Sequence, residues 1–296
     1  MRKLRAVSWG VVWLSAGLTG CFSTTRTVQK TQAPDVFRTA SVETLQKDVA
    51  DRDVAIQTLN ASVLITATTG GGKEGKVTEY TSFRGYIFVR KPRDLRVLLQ
   101  LPVIGSRAMD MVSNGDTFTL LIPPRNKAIV GTNKVTNPTK NGLENLRPQV
   151  FFDTLLVPPV KAEEFVTLVE STRVVQPETR HHEAIEEPDY DLTVMRKKAG
   201  DANVLQQLRV IHINRVNMLP YQQDVYDDKG QIVTQALYDK YQMYGTQQFP
   251  SLITIRRPLD EYSLKVEITK LTLNETLEDD QFELKIPPGV VVQKME

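Results

Sequence analysis

Alternating hydrophobic and polar residues dominate the chain from Ile56 onward and predict a β protein. Two stretches show this alternation most clearly: Leu95, Val97, Leu99 and Leu101, and Tyr262, Leu264, Val266 and Ile268. Such a pattern is typical of antiparallel strands with one buried face. A third run predicts one continuous strand over 77–90 with Val77 on its buried face, and turn signals such as Asn114-Gly115 separate further runs. We count on the order of eleven strands at the spacing of a barrel or sandwich.

The segment that precedes the strands has a helical period instead. Val42, Leu45 and Val49 recur at helical spacing, Ser41 is a candidate N-cap, and the helix is expected to end near Asp53. The apolar stripe of this helix is typical of a core-facing surface.

Apolar residues in mid-chain predict a helical insert between two blocks of strands. The pattern favours one or two short helices over 143–156 and another over 161–169. These segments carry more apolar surface than their length requires, so in a β protein they are expected to lie against the sheet.

The N-terminus differs in composition from the rest of the chain. Basic residues at 2–5 precede an apolar run over 6–17, and Leu18-Thr19-Gly20-Cys21 follows. This layout is typical of a secretory signal peptide and is too short for a spanning helix. The small residues before the only cysteine resemble the lipobox of bacterial lipoproteins, which would make 1–20 a cleaved signal and Cys21 an acylated anchor. An ordinary signal peptide followed by an unmodified thiol is the alternative.

The residues after Cys21 define the expected organisation of the mature protein. Residues 21–40 form a polar segment rich in Thr, Ser and Gln that is typical of a flexible tether, and 41–296 is expected to be a single domain. Phe22 stands where an aspartate retains lipoproteins in the inner membrane of the best-known bacteria. By that resemblance, we expect an outer-membrane lipoprotein that faces the periplasm.

Charge and chemistry narrow the functional classes further. The chain carries 37 Lys and Arg against 35 Asp and Glu, which is too balanced to indicate a nucleic-acid partner. The run His181-His182-Glu183 with Glu186 and Glu187 is more typical of a solvated loop than of a metal site, and His212 is expected to be a half-buried structural residue. No metalloprotease motif or nucleophile elbow is found. The sequence therefore predicts a binding protein with no catalytic residue, metal or cofactor, and a secreted hydrolase is the least favoured alternative.

Three short motifs occur in the chain in the order in which one protein family carries them. They are Gly85-Tyr86-Ile87-Phe88-Val89-Arg90-Lys91-Pro92, then Ser113-Asn114-Gly115-Asp116 with Ile122-Pro123, and a closing strand Phe282-Glu283-Leu284-Lys285-Ile286-Pro287-Pro288-Gly289-Val290-Val291-Val292. With the order helix, six meandering strands, helical insert and further strands, they make the chain from Ser41 to its end resemble the LolA/LolB group of outer-membrane lipoprotein-sorting proteins.

The resemblance implies a fold and a function. The fold would be an incomplete antiparallel β-barrel around an apolar cavity, lidded by short helices. The cavity would hold acyl chains of lipoproteins or lipids during transport to the outer membrane, with a soluble periplasmic carrier as a further partner. The cavity and lid candidates are Leu95, Val97, Leu99, Leu101, Leu264, Val266 and Ile268, and Phe151, Phe152 and Leu155. An interior filled by side chains is the alternative, and it would suit a scaffold lipoprotein that binds another envelope protein.

Two departures from the group bear on its expected mechanism. Carrier-type members have an arginine immediately before the proline of the first motif, where it pins the lid. In this chain Lys91 occupies that position and Arg90 precedes it. Pinning of the lid would therefore fall to Arg90 or be lost. Receptor-type members are lipid-anchored and expose an apolar loop residue before a Gly-Ser pair. In this chain Val103 or Ile104 occupies that place and would touch the membrane, unless both are buried at a hairpin corner.

Overall fold

The computed structural model describes residues 31–34, 36–73, 75–132, 146–175 and 184–295 of the 296-residue chain. The predicted signal peptide, Cys21 and His181-His182-Glu183 lie outside the described residues. The chain divides into two compact units, Met1–Ala33 with Val174–Glu186, and Pro34–Arg173 with Glu187–Glu296. In the first unit, Thr31 and Gln32 pair in parallel with Ala184 and Ile185.

The described residues form sixteen strands and two α-helices, which confirms a mainly β protein with more strands than expected. The helices are α1 (Val42–Val54) and α2 (Pro148–Leu155). The strands are β1 (Thr31–Gln32), β2 (Thr58–Gly71), β3 (Lys76–Glu79), β4 (Phe83–Arg90), β5 (Asp94–Gln100), β6 (Arg107–Ser113), β7 (Thr117–Ile122), β8 (Lys127–Thr132), β9 (Phe165–Val175), β10 (Ala184–Lys198), β11 (Asp201–Asn214), β12 (Leu219–Tyr226), β13 (Ile232–Tyr244), β14 (Gln247–Arg257), β15 (Tyr262–Leu273) and β16 (Val291–Met295).

The strands of the second unit follow one hydrogen-bonded path. It runs β10-β11-β12-β13-β14-β15-β2-β4-β5-β6-β7-β8-β16, with β3 beside β2 and β9 beside β10. The pairs are antiparallel from β10 to β8, and β16 joins β8 in parallel. The pairing of β15 with β2 makes one sheet of the two strand blocks. Among the described strands the path does not return to its start, so the sheet is an incomplete antiparallel barrel.

Close approach of backbones explains a glycine in the first family-like motif. A Cβ atom on Gly85 in β4 would lie 2.2 Å from the carbonyl oxygen of Leu98 in β5. No side chain fits at that distance, so only glycine allows the two strands to pair here.

The predicted strand over 77–90 is wrong in its first part. The chain leaves the ladder between β3 and β4, and the two strands pair with different parts of β2. This break changes the alternation, so Val77 is 67% exposed, whereas Ile87 and Val89 are fully buried.

The helix predicted over 161–169 is also wrong, because residues from Phe165 onward form β9. Val166 and Leu168, two positions apart, pack against a buried cluster under α1, whereas Phe165 and Val169 are exposed. A two-residue period therefore prevails over the helical spacing. The closing strand predicted to begin at Phe282 is wrong over 282–290, since these residues form no strand and only Val291–Met295 pairs with β8.

The sheet of the second unit carries two separate hydrophobic cores. The barrel core consists of inward-facing residues of β2, β4–β8 and β13–β15 together with α2. The α1 core consists of Leu45, Val49, Tyr190, Leu192, Ile211 and Ile213. The N-cap prediction for α1 is confirmed, since the Ser41 hydroxyl accepts a hydrogen bond from the Thr44 amide at 3.3 Å. Among the described residues, no helix combines the length and apolar character needed to cross a bilayer.

Candidate functional site

A partly open apolar cavity of about 190 Å³ lies within the barrel core. Residues from β2, β4, β5, β6, β7, β15 and α2 surround it. Its lining residues are Ile65, Ala67, Tyr80, Phe83, Leu99, Ala108, Met109, Leu120, Ile122, Arg125, Leu146, Phe151 and Leu264. Most of this lining is hydrocarbon, which favours an apolar occupant.

The cavity lies at one end of the strands. Phe83 begins β4, Leu99 stands one residue before the end of β5, and Ile122 ends β7. The 3-10 turn Pro123–Arg125 follows β7 at this end of the barrel. Phe151 of α2 is 1% exposed and supplies part of the wall from the helix.

Three of the sequence-predicted residues line this cavity, namely Leu99, Phe151 and Leu264. The others lie elsewhere. Leu95, Val97, Val266 and Ile268 belong to the packed part of the barrel core, and Leu101 and Phe152 are partly buried against it. Leu155 lines a second cavity of about 60 Å³ beside α1. The physical reason is position along the strand. Alternation identifies the inward face of each strand correctly, but only the inward residues near the β5–β6 loop border the cavity.

Sequence reasoning missed more than half of the lining. The residues it missed are Ile65, Ala67, Tyr80, Phe83, Ala108, Met109, Leu120, Ile122, Arg125, Leu146. Alternation marks several of them, such as Leu120 and Ile122, as inward-facing. Their meeting at one end depends on the register of neighbouring strands, for which the sequence alone holds no signal.

The volume of the cavity limits what it holds in this state. Small-molecule pockets usually measure roughly 300–1,000 Å³, and an apolar cavity of about 150 Å³ holds one benzene molecule. A cavity of about 190 Å³ therefore accepts a short length of acyl chain. Phe151 lines this cavity and Leu155 lines the smaller one, so α2 borders both voids.

Helix α2 carries one carboxyl group, that of Asp153, whose ionised form is disfavoured by burial. Burial raises the pKa of Asp153 to about 6, although a hydrogen bond from Gln149 and the charges of Arg209 and Lys161 act in the opposite direction. The Gln223 side chain also donates to the Asp153 carbonyl oxygen at 3.2 Å. At neutral pH the helix therefore holds a largely ionised carboxylate that burial disfavours.

Arg90 and Lys91 fasten segments other than α2, so the expectation that they pin the lid is wrong for the contacts seen here. Arg90 pairs with Asp94 and Asp279, both at 2.8 Å, and its guanidinium covers the Phe282 ring. Lys91 pairs with Asp53 of α1 at 2.7 Å. The reason is again position along the strand, since Arg90 ends β4 and lies about 23 Å along it from Phe83 at 3.3 Å per residue.

The loop between β5 and β6 exposes the two apolar residues singled out in the sequence. Val103 is fully exposed and Ile104 is 78% exposed, so the alternative of burial at a hairpin corner does not hold. The Leu101 amide donates to the Ser106 carbonyl at 2.7 Å and closes the loop. Val103 has φ 70°, a strained conformation for a β-branched residue. The loop directly joins the strands that carry Leu99 and Ala108, so it lies at the cavity end of the barrel.

A polar cluster occupies the neighbouring strands β10–β12 and is structural. His212 Nδ1 lies 2.6 Å from Asp191 Oδ1, and Nε2 lies 3.3 Å from Asp224 Oδ2. Burial alone would lower the pKa of His212, but the hydrogen bonds and charges of the two carboxylates outweigh it and raise the pKa to about 9. His212 is half-buried, as the sequence predicted. Among the described residues, no group of His, Cys, Asp and Glu has the arrangement of a metal site.

Comparison with known proteins establishes the fold. No protein-family model and no curated protein matches the chain. Among solved structures, a LolA superfamily protein from Nitrosomonas europaea is similar at 13% identity and TM-score 0.50, over 83% of this chain and 99% of that one. A DUF1329 family protein from Desulfovibrio piger follows at 15% identity and TM-score 0.48, over 83% and 98% of the two chains. An outer membrane lipoprotein-sorting protein domain from Vibrio parahaemolyticus has 11% identity and TM-score 0.45, over 82% and 97%. The incomplete barrel with its two helices is thus a LolA-like fold.

Proposed function

We propose that this protein is an outer-membrane lipoprotein, facing the periplasm, that binds acyl chains of lipoproteins or lipids for transport or insertion at that membrane. The observation that carries the proposal is the apolar cavity of about 190 Å³, which α2 borders. The protein acts by binding and release, without chemistry of its own. The fold shared with a LolA superfamily protein supports this role.

Burial of hydrocarbon supplies the affinity in this proposal. Each methylene that leaves water contributes about 0.8 kcal/mol. A few methylenes fill the cavity beside Leu99, Phe151 and Leu264, and further ones bind only when α2 moves. The same helix therefore sets both the capacity and the release of the site.

The lipid anchor at Cys21 places the barrel at the membrane. One acyl chain gives marginal binding, whereas several chains anchor a protein stably. Cargo reaches the cavity from a soluble periplasmic carrier, and Val103 and Ile104 contact the membrane when it leaves. Their exposure at the cavity end of the barrel supports this assignment.

Titration with the neutral fluorescent probe N-phenyl-1-naphthylamine tests cavity binding. Ala108 lines the cavity, and Ala108→Phe places a ring in its space. The wild type is expected to bind the probe, and the variant to lose at least tenfold in affinity while it keeps its melting temperature. Ala162→Phe is the matched control, because Ala162 is exposed and does not line the cavity. Equal binding by all three proteins contradicts the proposal.

A scaffold lipoprotein that binds another envelope protein is the second candidate. The dense packing around Val97 and Val266, both fully buried, favours it, because a filled interior has no capacity for lipid. Lipid retained by the purified protein supports the carrier role. A lipid-free protein that captures an envelope protein through its outer surface supports the scaffold.

A further inference from the structure

A smaller apolar cavity lies at the end of the barrel that is opposite the β5–β6 loop. It measures about 60 Å³ and is partly open. Strands β13 and β5 run in opposite directions along the antiparallel path, so the β13–β14 turn lies at the other end of the strands. The apolar lining of this smaller cavity includes Val49 and Ile56 from the α1 region, Leu156 and Val157 after α2, and Phe249 in β14.

The wall of the smaller cavity also contains a buried hydroxyl group. Tyr238 lines the cavity and is 6% exposed, and its hydroxyl has no hydrogen-bond partner among the described residues. The nearby Tyr241 differs, because its hydroxyl donates to the Pro220 carbonyl oxygen at 2.7 Å. Burial without a partner is unfavourable for a polar atom, so an occupant that hydrogen-bonds to Tyr238 is stabilised by that contact.

A wider groove of about 600 Å³ adjoins the smaller cavity, since Arg52 and Gln248 line both. The groove lies between α1 and the β13–β14 hairpin, and Met243 in its lining is 59% exposed. Most of its other lining residues are polar, namely Arg38, Asp48, Asp51, Asn217, Thr246 and Gln247. An apolar hollow inside a polar rim is typical of the anchor pockets of protein interfaces.

The charges of the groove indicate which kind of partner fits it. Arg38 and Arg52 line it together with Asp48 and Asp51, so both signs of charge are present. Mixed charges and side-chain amides complement a peptide backbone, whose N–H groups donate and whose carbonyl groups accept. A nucleic acid or an anionic bilayer presents one sign of charge and complements this groove less well.

The volume of the smaller cavity limits the side chain that it accepts. An apolar cavity of about 150 Å³ holds one benzene molecule, so about 60 Å³ suits a group with roughly half as many heavy atoms. The branched side chains of valine and threonine are of that size, whereas a long acyl chain is not. Threonine has in addition a hydroxyl that can pair with the Tyr238 hydroxyl.

We propose that the groove is a docking site for an extended segment of a partner protein, with a valine or threonine side chain in the smaller cavity and threonine preferred. The site lies at the end of the barrel away from the acyl-chain cavity, so a docked partner leaves the mouth of that cavity free. This inference does not depend on the proposed function.

Selection from a phage-displayed library of random dodecapeptides tests the inference on the full-length protein. Panning on the wild type, with Gln248→Trp as the counter-selection, is expected to enrich peptides that share a valine or threonine. Gln248 is exposed and lines both the cavity and the groove, so an indole at this position closes the entrance without changing the core. Fluorescence anisotropy of a labelled peptide from the selection then measures the affinity, which Gln248→Trp should lower at least tenfold.

Two further variants control for this blocking effect. Gln242→Trp is the matched control and should keep the wild-type affinity, because Gln242 is exposed on the same hairpin and lines neither void. Thr246→Trp, at an exposed residue of the groove, should repeat the loss, and it replaces Gln248→Trp if that variant has a lowered melting temperature. All three variants should bind N-phenyl-1-naphthylamine as the wild type does, because none of these residues lines the acyl-chain cavity.

Substitutions in the peptide test the anchor. Glycine at the shared position should lower the affinity at least tenfold, and phenylalanine should do the same because its ring exceeds the volume of the smaller cavity. Threonine should bind the wild type about threefold more tightly than valine, as expected for one added hydrogen bond. Tyr238→Phe should remove this preference.

The outcomes separate this inference from the proposed function. If no peptide distinguishes the wild type from Gln248→Trp, docking in the groove is rejected, and if Gln242→Trp also abolishes binding, the assignment to the groove is rejected. If threonine and valine bind the wild type equally, the role of Tyr238 is rejected. Binding to phospholipid vesicles that Gln248→Trp removes would assign the groove to a lipid surface and reject a protein partner. A wild type that binds peptide but not N-phenyl-1-naphthylamine would reject the proposed function alone.

Discussion

Helices α1 and α2 pack against two different hydrophobic cores of one sheet, and they differ in the empty space beside them. Leu45 and Val49 of α1 are 1% and 3% exposed and close a packed core against β10 and β11. Phe151 of α2 borders the cavity of about 190 Å³, whereas Val49 of α1 and Leu155 of α2 both line the cavity of about 60 Å³. A helix over a filled core is fixed by its contacts, whereas a helix beside voids has lost some of them. The larger void therefore lies beside α2, so a displacement of α2 is the change that would enlarge the apolar site.

The largest expected effect is a loss of stability from a charge placed in the packed part of β5. Comparing two positions on this strand shows where the cavity ends. Val97 and Leu99 lie on the same face of β5, but Val97 is fully buried and only Leu99 lines the cavity. Val97→Glu should unfold the protein, because a buried unpaired carboxylate costs several kcal/mol. Leu99→Glu should remain folded, since its carboxylate reaches the hydrated mouth, and should lose probe binding. Circular dichroism and probe titration measure both, and two unfolded variants would show that the void is not usable.

The α1 side should show the larger pH dependence of stability, at higher pH than the α2 side. His212 lies on β11, next to Ile211 and Ile213 of the α1 core, and has a pKa of about 9 against 6.5 for a free side chain. A raised pKa means stabilisation that is complete below pH 6.5 and is lost as the pH rises through 9. The loss should be on the order of 3 kcal/mol. Urea unfolding between pH 6 and pH 10 measures it, with His212→Gln as the control that removes the dependence. A wild type and variant with parallel curves would contradict the assignment.

Asp153 should weaken α2 at neutral pH by a smaller amount. Its pKa of about 6 exceeds the ordinary 3.8, so the folded protein favours the protonated form. The cost is absent below pH 3.8 and increases as the pH rises through 6. Asp153→Asn should therefore stabilise the protein by roughly 2 to 3 kcal/mol at pH 7.5 and by about half as much at pH 5. Thermal unfolding at the two pH values tests this, and a gain that is larger at pH 5 would reverse the argument.

The loop substitution should have the smallest effect on stability. Val103 and Ile104 are exposed, so replacing both with Glu should change the free energy of unfolding by at most about 0.5 kcal/mol. The same variant should reduce binding to phospholipid vesicles in a flotation assay. Exchanging Val291 and Val292, also exposed, for Glu gives a matched control at the other end of the chain. A clear loss of melting temperature would mean that the loop packs against the barrel.

The inward faces of the strands follow from the sequence, but the position of the void does not. Alternation identifies Leu95, Val97 and Leu99 as buried, and it is right for all three. It treats them as equivalent, although only Leu99 stands beside the cavity. That distinction depends on how β4 and β6 are registered against β5, which is a property of distant segments.

Local pattern also fails where two periods compete. The residues from Phe165 to Val169 fit a short helix by spacing, but pairing beside β10 makes them a strand. Arg90 fits the motif of a lid-pinning residue, yet its partners are Asp94 and Asp279. In both cases a tertiary contact decides the outcome. Nothing in the local sequence predicts that Arg125 lines the cavity, because an arginine after two prolines is ordinary in a turn.

The most direct test of acyl binding is mass spectrometry of lipid that the purified protein retains. Extraction with chloroform and methanol releases lipid that is bound without a covalent link, whereas the acyl chains proposed on Cys21 would stay on the protein. The wild type, purified from bacterial envelopes without added lipid, is expected to yield about one acyl-chain lipid per protein, and Ala108→Phe to yield much less. Equal amounts from both proteins, or none from the wild type, would contradict the claim that the cavity beside α2 is an acyl-chain site.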